Sequence, residues 1–368
     1  MAEERVVLVT GATGYWGSRV AAELMAQPDC HVIGLDDRTA ETAIKGLDFV
    51  TADFRDSAVV DLLREEAVDT VCHLAFLESD RASEEAFDSN VLGTMKLLGM
   101  CAEAGVRQVV FKSSTMVYGA RPDNSLYLSE DHPLNGSKTY GYVRDLVEIE
   151  EFCDKFRTRA PGMATTSLRF AQIVGPAAVT PLTRFFRDEE AFVLLGFDPL
   201  MLIIHEQDVA RAFAHAMTRH VSGAVNVAAE GTMPLWKVMA LAGKLTAPVF
   251  HPMAYAAASL LGPRYAPLDL DYLRYPCVAG LEKMRSVLGF VPGHAGEETL
   301  REFASRQRLR SYARDTNNQA ENGATLRDTI ERRRRAREQA AQSGGRRLQR
   351  APAARRARKT PGKANEKR

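Results

Sequence analysis

The stretch Val6–Gly17, V-V-L-V-T-G-A-T-G-Y-W-G, constrains the fold of this chain more than any other. Residues 5–9 are mostly β-branched or long apolar, which is typical of a strand buried on both faces, and Gly11, Gly14 and Gly17 follow. Glycine has no Cβ, so the backbone can turn sharply and approach a ligand closely. A helix that begins after this turn offers unpaired N–H groups to a phosphate. The stretch therefore predicts a strand, a turn and a helix that bind the pyrophosphate of a dinucleotide.

An acidic residue after the next strand supports this prediction. The second strand is expected over His31–Leu35, and Asp36 follows it, nineteen residues after Gly17. A carboxylate about 20 residues beyond the glycines commonly holds the adenosine ribose, and it repels the 2′-phosphate of NADP. Asp37 adds to that repulsion and Arg38 opposes it, so the pattern favours NAD over NADP. The alternative is a loop between strand and helix with a solvated aspartate.

Apolar runs and helical patterns alternate over residues 1–175, which predicts an α/β fold with a doubly wound parallel sheet. Strands are expected near residues 5–9, 31–35, 47–50, 69–74, 107–112 and 164–170, and long helices over 84–104 and 139–157. The two helices could form a homodimer interface or lie on the surface without a partner. Residues 176–312 lose the alternation and predict a smaller mixed domain that binds substrate, in which Trp236 opens an amphipathic helix as a core residue.

Residues 313–368 read as a basic, low-complexity tail that we expect to be disordered. Although the whole chain has a net charge of only +1, residues 331–368 carry 15 Lys or Arg against 3 Glu. Such a tail could bind nucleic acid or an anionic membrane surface nonspecifically. The alternative is a solvated tail that folds back on the acidic body. It has no interleaved aromatic residues, so we expect no sequence-specific reading of RNA.

The spacing of the cysteines and the hydropathy of the chain indicate in which cellular compartment the protein is expected. The five cysteines are scattered with no C-x-x-C pair, as expected for free thiols in a reducing cytoplasm. The longest apolar run, over residues 192–204, is interrupted by Gly196, Asp198 and Pro199, and no apolar leader precedes the first strand. We therefore predict a cytoplasmic protein without a membrane span.

Polar or small residues follow several of the predicted strands. Asp53 follows the third strand, H-L-A at 73–75 closes the fourth, and S-S-T at 113–115 closes the fifth. In a doubly wound sheet, ligands bind outside the carboxyl ends of the strands, so these residues are expected to face one crevice. Any one of them taken alone is more typical of a loop or helix cap.

Tyr140 and Arg144 are four residues apart, so they share one face of a predicted helix. A neighbouring cation stabilises a phenolate and lowers its pKa from about 10, which would make Tyr140 a general acid or base near neutral pH. Ser114 could donate a hydrogen bond to a substrate oxygen. The alternative is an ordinary amphipathic helix with an exposed Tyr and Arg. The sequence shows no paired ligands of a metal site.

Ordered motifs between residue 5 and about residue 310 carry a resemblance to a known family. They are T-G-A-T-G-Y-W-G at 10–17, H-L-A at 73–75, N-V-L-G-T at 90–94, S-S-T-M-V-Y-G at 113–119, Y-G at 140–141, L-R-F-A-Q-I-V-G-P at 168–176, I-H-E-Q-D-V-A at 204–210 and L-G-F-V-P at 288–292. The chain resembles the extended short-chain dehydrogenase/reductase family, which includes nucleotide-sugar epimerases and dehydratases. The resemblance implies a Rossmann-type fold and an NAD-dependent reaction at a hydroxyl or keto carbon of a small molecule, such as a nucleotide sugar.

The resemblance also implies roles for individual residues. Tyr140 would move the substrate proton, Ser114 would orient the substrate oxygen, and Arg144 would tune Tyr140 and hold the nicotinamide ribose. The implied cofactor contacts are Gly11, Thr13, Gly14, Tyr15, Trp16, Gly17, Asp36, Asp53, Phe54, Leu74, Ala75, Asn90, Ser113, Tyr140 and Arg144. Gln172 and Arg274 would bind the substrate diphosphate, while His205 and Asp208 would be chiefly structural.

The sequence departs from the family pattern at two of these positions. Arg144 stands where the family has a catalytic lysine, and its forked, planar guanidinium is not equivalent to an ammonium group at a tightly packed ribose site. Gln172 stands where nucleotide-sugar epimerases usually have Asn. The departure at Arg144 leaves open an alternative function, a catalytically weak or inactive NAD-binding protein whose basic tail binds nucleic acid or a membrane surface.

Overall fold

The computed structural model describes residues 5–38, 44–78, 82–186, 190–261, 269–310, 312 and 330–335. The chain divides into two compact units, Met1–Gln307 and Arg308–Arg368. Of the predicted basic tail, only residues 330–335 are described, and they are helical. The remainder of that prediction lies outside the described residues.

The first unit contains thirteen strands and nine named helices in its described parts. The strands are β1 (Arg5–Thr10), β2 (Cys30–Asp36), β3 (Asp48–Thr51), β4 (Thr70–His73), β5 (Gln108–Ser114), β6 (Ala164–Phe170), β7 (Gln172–Val174), β8 (Glu190–Leu194), β9 (Leu200–Met201), β10 (Ile203–His205), β11 (Gly223–Val227), β12 (Met233–Pro234) and β13 (Leu245–Val249). The helices are α1 (Tyr15–Met25), α2 (Val59–Glu65), α3 (Glu84–Phe87), α4 (Gly93–Ala104), α5 (Gly141–Arg159), α6 (Pro181–Phe185), α7 (Glu206–Ala216), α8 (Leu235–Leu241) and α9 (His251–Leu261). Short 3₁₀ turns cover Thr115–Tyr118 and Leu270–Leu273, and π-helical segments cover Asp88–Leu92 and Met284–Leu288.

Seven parallel strands form the central sheet, in the order β11-β6-β5-β4-β1-β2-β3. This order reverses between β1 and β4, as in a Rossmann-type doubly wound sheet. The six strands expected from the apolar runs are confirmed with small changes at their ends. The chain returns to the sheet after residue 176, because β11 pairs with β6. The proposed domain boundary near residue 175 stays a prediction.

The two predicted long helices differ in regularity. The helix expected over 139–157 is α5, whereas the one expected over 84–104 is divided into α3, a π-helical segment and α4. In the part of the chain that the structure describes, none of the helices has both the length and the hydropathy required to cross a membrane.

A second apolar cluster lies beside the sheet and contains α6, α8 and the three small two-stranded sheets β7/β10, β9/β12 and β8/β13. Helix α8 contributes Leu235, Val238 and Met239, which lie on one face by their spacing of three or four residues. Trp236 lies on another face of α8 and is 61% exposed. The prediction that Trp236 belongs to the core is therefore wrong.

Candidate active site

The turn between β1 and α1 requires glycine at Gly11, and the first turn of α1 requires it at Gly17. Gly11 has a φ of +68°, and a Cβ there would lie 2.8 Å from the backbone nitrogen of Ala75. A Cβ on Gly17 would collide with the carbonyl group of Gly11. Gly14 caps α1, and its N–H donates to the carbonyl oxygen of Gly11 at 2.9 Å. The turn thus brings bare backbone and the first turn of α1 to the edge of the sheet.

A cleft of about 550 Å³ opens above this turn, at the carboxyl ends of the parallel strands. Ten of the predicted cofactor residues line the cleft, namely Gly11, Gly14, Tyr15, Trp16, Gly17, Asp36, Asp53, Phe54, Leu74 and Ala75. The cleft is also lined by residues that were not predicted as cofactor contacts, including Asp37, Arg38, Arg55, Glu78 and Lys112. Its volume and its bare-backbone cradle fit an elongated dinucleotide.

Carboxylates mark one end of the cleft. Asp36 is buried, and its Oδ2 accepts hydrogen bonds from the backbone N–H of Thr13 at 3.0 Å and from the Thr13 hydroxyl at 2.6 Å. Burial by itself raises the pKa of Asp36, but the hydrogen bonds from Thr13 and Arg38 outweigh it and lower the pKa. Asp53 accepts from the guanidinium of Arg55 at 2.6 to 3.0 Å, which lowers the pKa of Asp53. Both carboxylates are thus ionised acceptors at neutral pH.

Asn90 and Ser113 are not among the residues that line the cleft, but their hydrogen bonds fix the segments that do. The side-chain amide of Asn90 is fully buried, accepts from the N–H of Leu77 at 2.8 Å and donates to the Leu77 carbonyl at 2.9 Å. It also donates to Asp145 at 2.9 Å. The Ser113 hydroxyl donates to the carboxylate of Glu150 on α5. These bonds place the segment after β4 against α5.

Ser114 and Tyr140 lie at the ends of two neighbouring elements. Ser114 ends β5, and its Oγ accepts from the N–H of Met116 at 3.2 Å, which caps the 3₁₀ turn. Tyr140 immediately precedes α5, is 8% exposed, and shares an apolar cluster with Met116. Its hydroxyl accepts from the guanidinium of Arg184 at 3.4 Å. A cation therefore lies beside the Tyr140 hydroxyl, and it comes from α6.

Arg144 directs its guanidinium toward the start of α3. Its Nε and one terminal nitrogen donate to Oδ1 of Asp145 at 2.9 and 2.6 Å, and that terminal nitrogen also donates to the carbonyl oxygen of Ser83 at 3.2 Å. The guanidinium lies 5.0 Å from the centre of the Phe87 ring. These contacts join α5 to α3. The prediction that Arg144 tunes Tyr140 and holds the ribose stays a prediction.

The two predicted substrate residues, Gln172 and Arg274, lie beside the second apolar cluster described above. Gln172 lines a cavity of about 10 Å³ together with Thr115, Tyr272 and Cys277. The guanidinium of Arg274 lies 4.9 Å from the centres of the Phe197 and Tyr275 rings, and its buried Nε has no hydrogen-bond partner among the described residues.

Sequence reasoning missed Lys112, Glu78 and Arg184. Lys112 interrupts the apolar run of β5 just before Ser113, and a charged residue within a buried strand was the signal that could have revealed it. Arg184 and Glu78 gave no such signal, since both lie in irregular or short segments. Within the described residues, no group of three or more His, Cys, Asp or Glu side chains is arranged to hold a metal ion.

The doubly wound sheet, the bare glycine turn and the cleft at the carboxyl strand ends define a dinucleotide-binding α/β protein. The chain belongs to the NAD dependent epimerase/dehydratase family, whose model matches residues 7–228. An uncharacterized protein of Mycobacterium tuberculosis is 31% identical over 301 residues, which are 78% of this chain and 80% of the relative. The UDP-glucose 4-epimerase of Lactobacillus helveticus is 33% identical over 184 residues, which are 47% of this chain and 53% of that enzyme.

Solved structures show the same fold. The UDP-glucose 4-epimerase of Thermus thermophilus in complex with NAD has a TM-score of 0.63 and 25% identity, and the match covers 82% of this chain and 99% of that chain. The UDP-glucose 4-epimerase of Thermotoga maritima with UDP-glucose has a TM-score of 0.64 and 20% identity, covering 83% of this chain and 99% of that one.

Proposed function

We propose that this protein is an NAD-dependent oxidoreductase of the epimerase or dehydratase type, acting at a hydroxyl or keto carbon of a nucleotide sugar. The observation that carries the proposal is the cleft, in which the glycine turn, Asp36 and Asp53 meet at one edge of the sheet. Family membership and the NAD and UDP-sugar complexes of the similar structures support it.

The residues of the cleft fit NAD. Backbone N–H groups at the start of α1 would bind the pyrophosphate, and Asp36 would accept hydrogen bonds from the adenosine ribose. Thr13 holds the Asp36 carboxylate in place for this contact. The ionised Asp36 also repels a 2′-phosphate, so we expect NAD to be preferred over NADP.

Tyr140 would act as the general acid or base of the reaction. Its hydroxyl would take the proton from a substrate hydroxyl group while Ser114 donates a hydrogen bond to the same substrate oxygen. Bound NAD supplies the acceptor for the hydride that leaves the carbon bearing that hydroxyl. The guanidinium of Arg184 donates to the Tyr140 hydroxyl at 3.4 Å, and a cation at this position would stabilise a phenolate formed during the reaction.

The substrate diphosphate would bind on the side of Gln172 and Arg274. The guanidinium of Arg274 could donate paired hydrogen bonds to an anion, and the aromatic rings beside it hold it in place. The Gln172 amide can make the bonds of an Asn from one methylene further out.

The proposed function is tested with the full chain, a panel of UDP- and dTDP-sugars and the variant Tyr140→Phe. Removal of a general acid or base typically costs about 10²- to 10⁴-fold in turnover, so we expect a loss of that size with the NAD content unchanged. Product formation is followed by chromatography of the nucleotide sugars, and bound NAD is measured by mass spectrometry.

Tyr127→Phe is the matched control, because Tyr127 is 55% exposed and is not among the residues that line the cleft. It is expected to turn over substrate like the unchanged protein. Full turnover by Tyr140→Phe on a substrate that the protein converts would refute the assignment.

A homodimer through the helices at 84–104 and α5, a cytoplasmic location and nonspecific binding of nucleic acid or membranes by the tail remain proposals. The comparisons favour the enzyme over the alternative of an inactive cofactor-binding protein.

A further inference from the structure

Lys112 is a buried lysine whose ammonium group faces the cleft. It lies near the carboxyl end of β5, is 7% exposed, and belongs to the lining of the 550 Å³ cleft. Its Nζ donates to the Tyr142 hydroxyl at 3.0 Å and to the Glu78 carboxylate. The described residues thus provide partners for two of the three ammonium donors.

The surroundings of Lys112 keep it charged. Burial by itself lowers the pKa of Lys112, but the carboxylate of Glu78 and the Tyr142 hydroxyl outweigh it and raise the pKa. The Tyr142 hydroxyl is in turn kept protonated, because burial raises its pKa. Lys112 is therefore a fixed positive charge in a site shielded from water, where a charge interacts strongly with a ligand.

The position of Lys112 distinguishes it from the other cations of the cleft. Its Nζ lies 5.4 Å from the centre of the Trp16 ring, in the first turn of α1. Arg38 and Arg55 lie beside the carboxylates Asp36 and Asp53, at the end of the cleft proposed to hold the adenosine. Lys112 thus lies beyond the adenosine end, where the first turn of α1 is expected to meet the pyrophosphate.

Arg144 does not line the cleft, and its guanidinium is engaged by Asp145 and the Ser83 carbonyl. Resting on the proposed NAD-dependent reaction, we infer that Lys112 is the cofactor-binding cation of this protein and contacts oxygen atoms of the dinucleotide beyond its adenosine. Tyr142 acts as a positioning residue, since its hydroxyl holds the ammonium group in the cleft. The charge that the family pattern places on α5 is provided here from β5.

The test is titration calorimetry of the full chain and Lys112→Met with NAD, ADP-ribose, ADP and AMP. A hydrogen bond to a charged group is worth about 1.5–3 kcal/mol, so the variant should bind NAD and ADP-ribose roughly 10- to 100-fold more weakly. AMP carries only the first of the two phosphates, so a loss already seen with AMP assigns Lys112 to that phosphate. A loss already seen with ADP assigns Lys112 to the pyrophosphate, and a loss first seen with ADP-ribose assigns it to the second ribose.

Variants of Glu78 test whether Lys112 binds the ligand or only neutralises the Glu78 carboxylate. Glu78→Gln keeps the ammonium group and removes a carboxylate from the cleft, so it should bind ADP-ribose at least as tightly as the unchanged protein. The double variant Glu78→Gln/Lys112→Met has no unpaired carboxylate and should fold, as checked by its denaturation midpoint. It should bind ADP-ribose as weakly as Lys112→Met alone. Recovery of affinity in the double variant would mean that Lys112 serves only to neutralise Glu78.

Arg144→Met is the comparison that decides between the two cations. We expect it to bind ADP-ribose within about twofold of the unchanged protein, because Arg144 does not line the cleft. Its denaturation midpoint should fall, since the buried Asp145 carboxylate loses its cation, so binding is measured where the variant is folded. Normal binding by Lys112→Met together with a tenfold loss in Arg144→Met would overturn the inference. ADP-ribose binding does not depend on turnover. A protein that converts no substrate but binds ADP-ribose more weakly as Lys112→Met would therefore contradict only the proposed reaction. A protein that binds neither NAD nor ADP-ribose would contradict both.

Discussion

At the scale of single residues, backbone glycines and fixed carboxylates decide what the cleft can hold. Gly11 has a positive φ, which favours glycine. A Cβ added at Gly11 or at Gly17 would also collide with backbone atoms that cannot move aside. Thr13 fixes Asp36 by two hydrogen bonds to one oxygen. Both features act before any ligand arrives, and such preorganisation reduces the entropy lost on binding.

Gly17→Ala is expected to destabilise the protein and abolish NAD binding. The added methyl group would collide with the Gly11 carbonyl, and overpacking of this kind costs about 1–3 kcal/mol or more. The measurement is urea denaturation together with NAD titration. Gly99→Ala is the matched control, since Gly99 lies in α4 with open space around it and alanine gains about 0.5–1 kcal/mol there. An equal effect of the two substitutions would contradict the steric argument.

At the scale of elements, a buried ion pair joins α5 to the sheet. Glu150 and Arg169 are 3% and 4% exposed, and the guanidinium donates to the carboxylate at 2.7 to 3.1 Å. Ser167 on β6 and Ser113 on β5 donate to the same carboxylate. Because α5 begins directly after Tyr140, this network sets where the Tyr140 hydroxyl lies relative to the end of β5.

Arg169→Met is expected to lower the free energy of unfolding by about 3–5 kcal/mol, because it leaves the Glu150 carboxylate buried without its cation. Replacing both partners, in Glu150→Leu/Arg169→Met, should recover much of the loss, since no charge then remains buried. Urea denaturation measures both effects. Glu148→Ala, on the exposed face of α5, should change stability by less than about 0.5 kcal/mol. A double variant as unstable as Arg169→Met would argue against a charge effect.

At the scale of the whole molecule, buried histidines make stability depend on pH. His73 is fully buried between the hydroxyls of Thr10 at 2.7 Å and Thr94 at 2.9 Å, and burial lowers the pKa of His73 to about 3. Burial and the neighbouring His294 also lower the pKa of His205, which stacks on His294 with ring centres 4.0 Å apart. His294 bonds Asp208 at 2.9 Å, so this cluster ties residue 294 to α7.

The free energy of unfolding should fall as the pH drops below about 6.5. Between the ordinary histidine pKa and the lowered folded value, the unfolded chain binds more protons than the folded one, so acid favours unfolding. Each such group contributes a slope of about 1.4 kcal/mol per pH unit. The measurement is urea denaturation at several pH values from neutral to about pH 5.5, above the range in which most carboxylates titrate.

His73→Gln isolates the contribution of His73. The variant should be less stable at neutral pH, because it alters the bonds to Thr10 and Thr94, but its stability should change less steeply with pH. The exposed His220→Gln serves as the control for the loss of a surface imidazole. Equal slopes in His73→Gln and the unchanged protein would show that His73 is not the source.

The backbone of the cofactor half could be predicted from local patterns. The six strands, the glycine turn and α5 follow from apolar periodicity and from glycine spacing, which act over a few residues. The segment around Asn90 and the return of the chain to the sheet at β11 could not be predicted in the same way. Both depend on partners far along the chain, Asp145 on α5 in one case and β6 in the other.

The site could be predicted only in part. The predicted residues near the ends of β1, β2 and β4 lie together in the cleft lining, because parallel strands bring their carboxyl ends to one edge. The direction of a long side chain has no such local rule, since its rotamer depends on the charges and rings that the fold places around it. The direction of the Arg144 side chain is therefore set by its contacts with Asp145, Ser83 and Phe87. The contact of Arg184 with the Tyr140 hydroxyl comes from α6, a helix that the sequence patterns did not predict.

Local sequence thus accounts for a doubly wound sheet with a glycine turn, because strand burial and backbone freedom are properties of neighbouring residues. Tertiary structure alone decided which cations face the cleft and the Tyr140 hydroxyl, and that Trp236 lies on the exposed face of α8. Charges act through space over several ångströms regardless of their separation in the chain, so their partners become known only when the chain is folded.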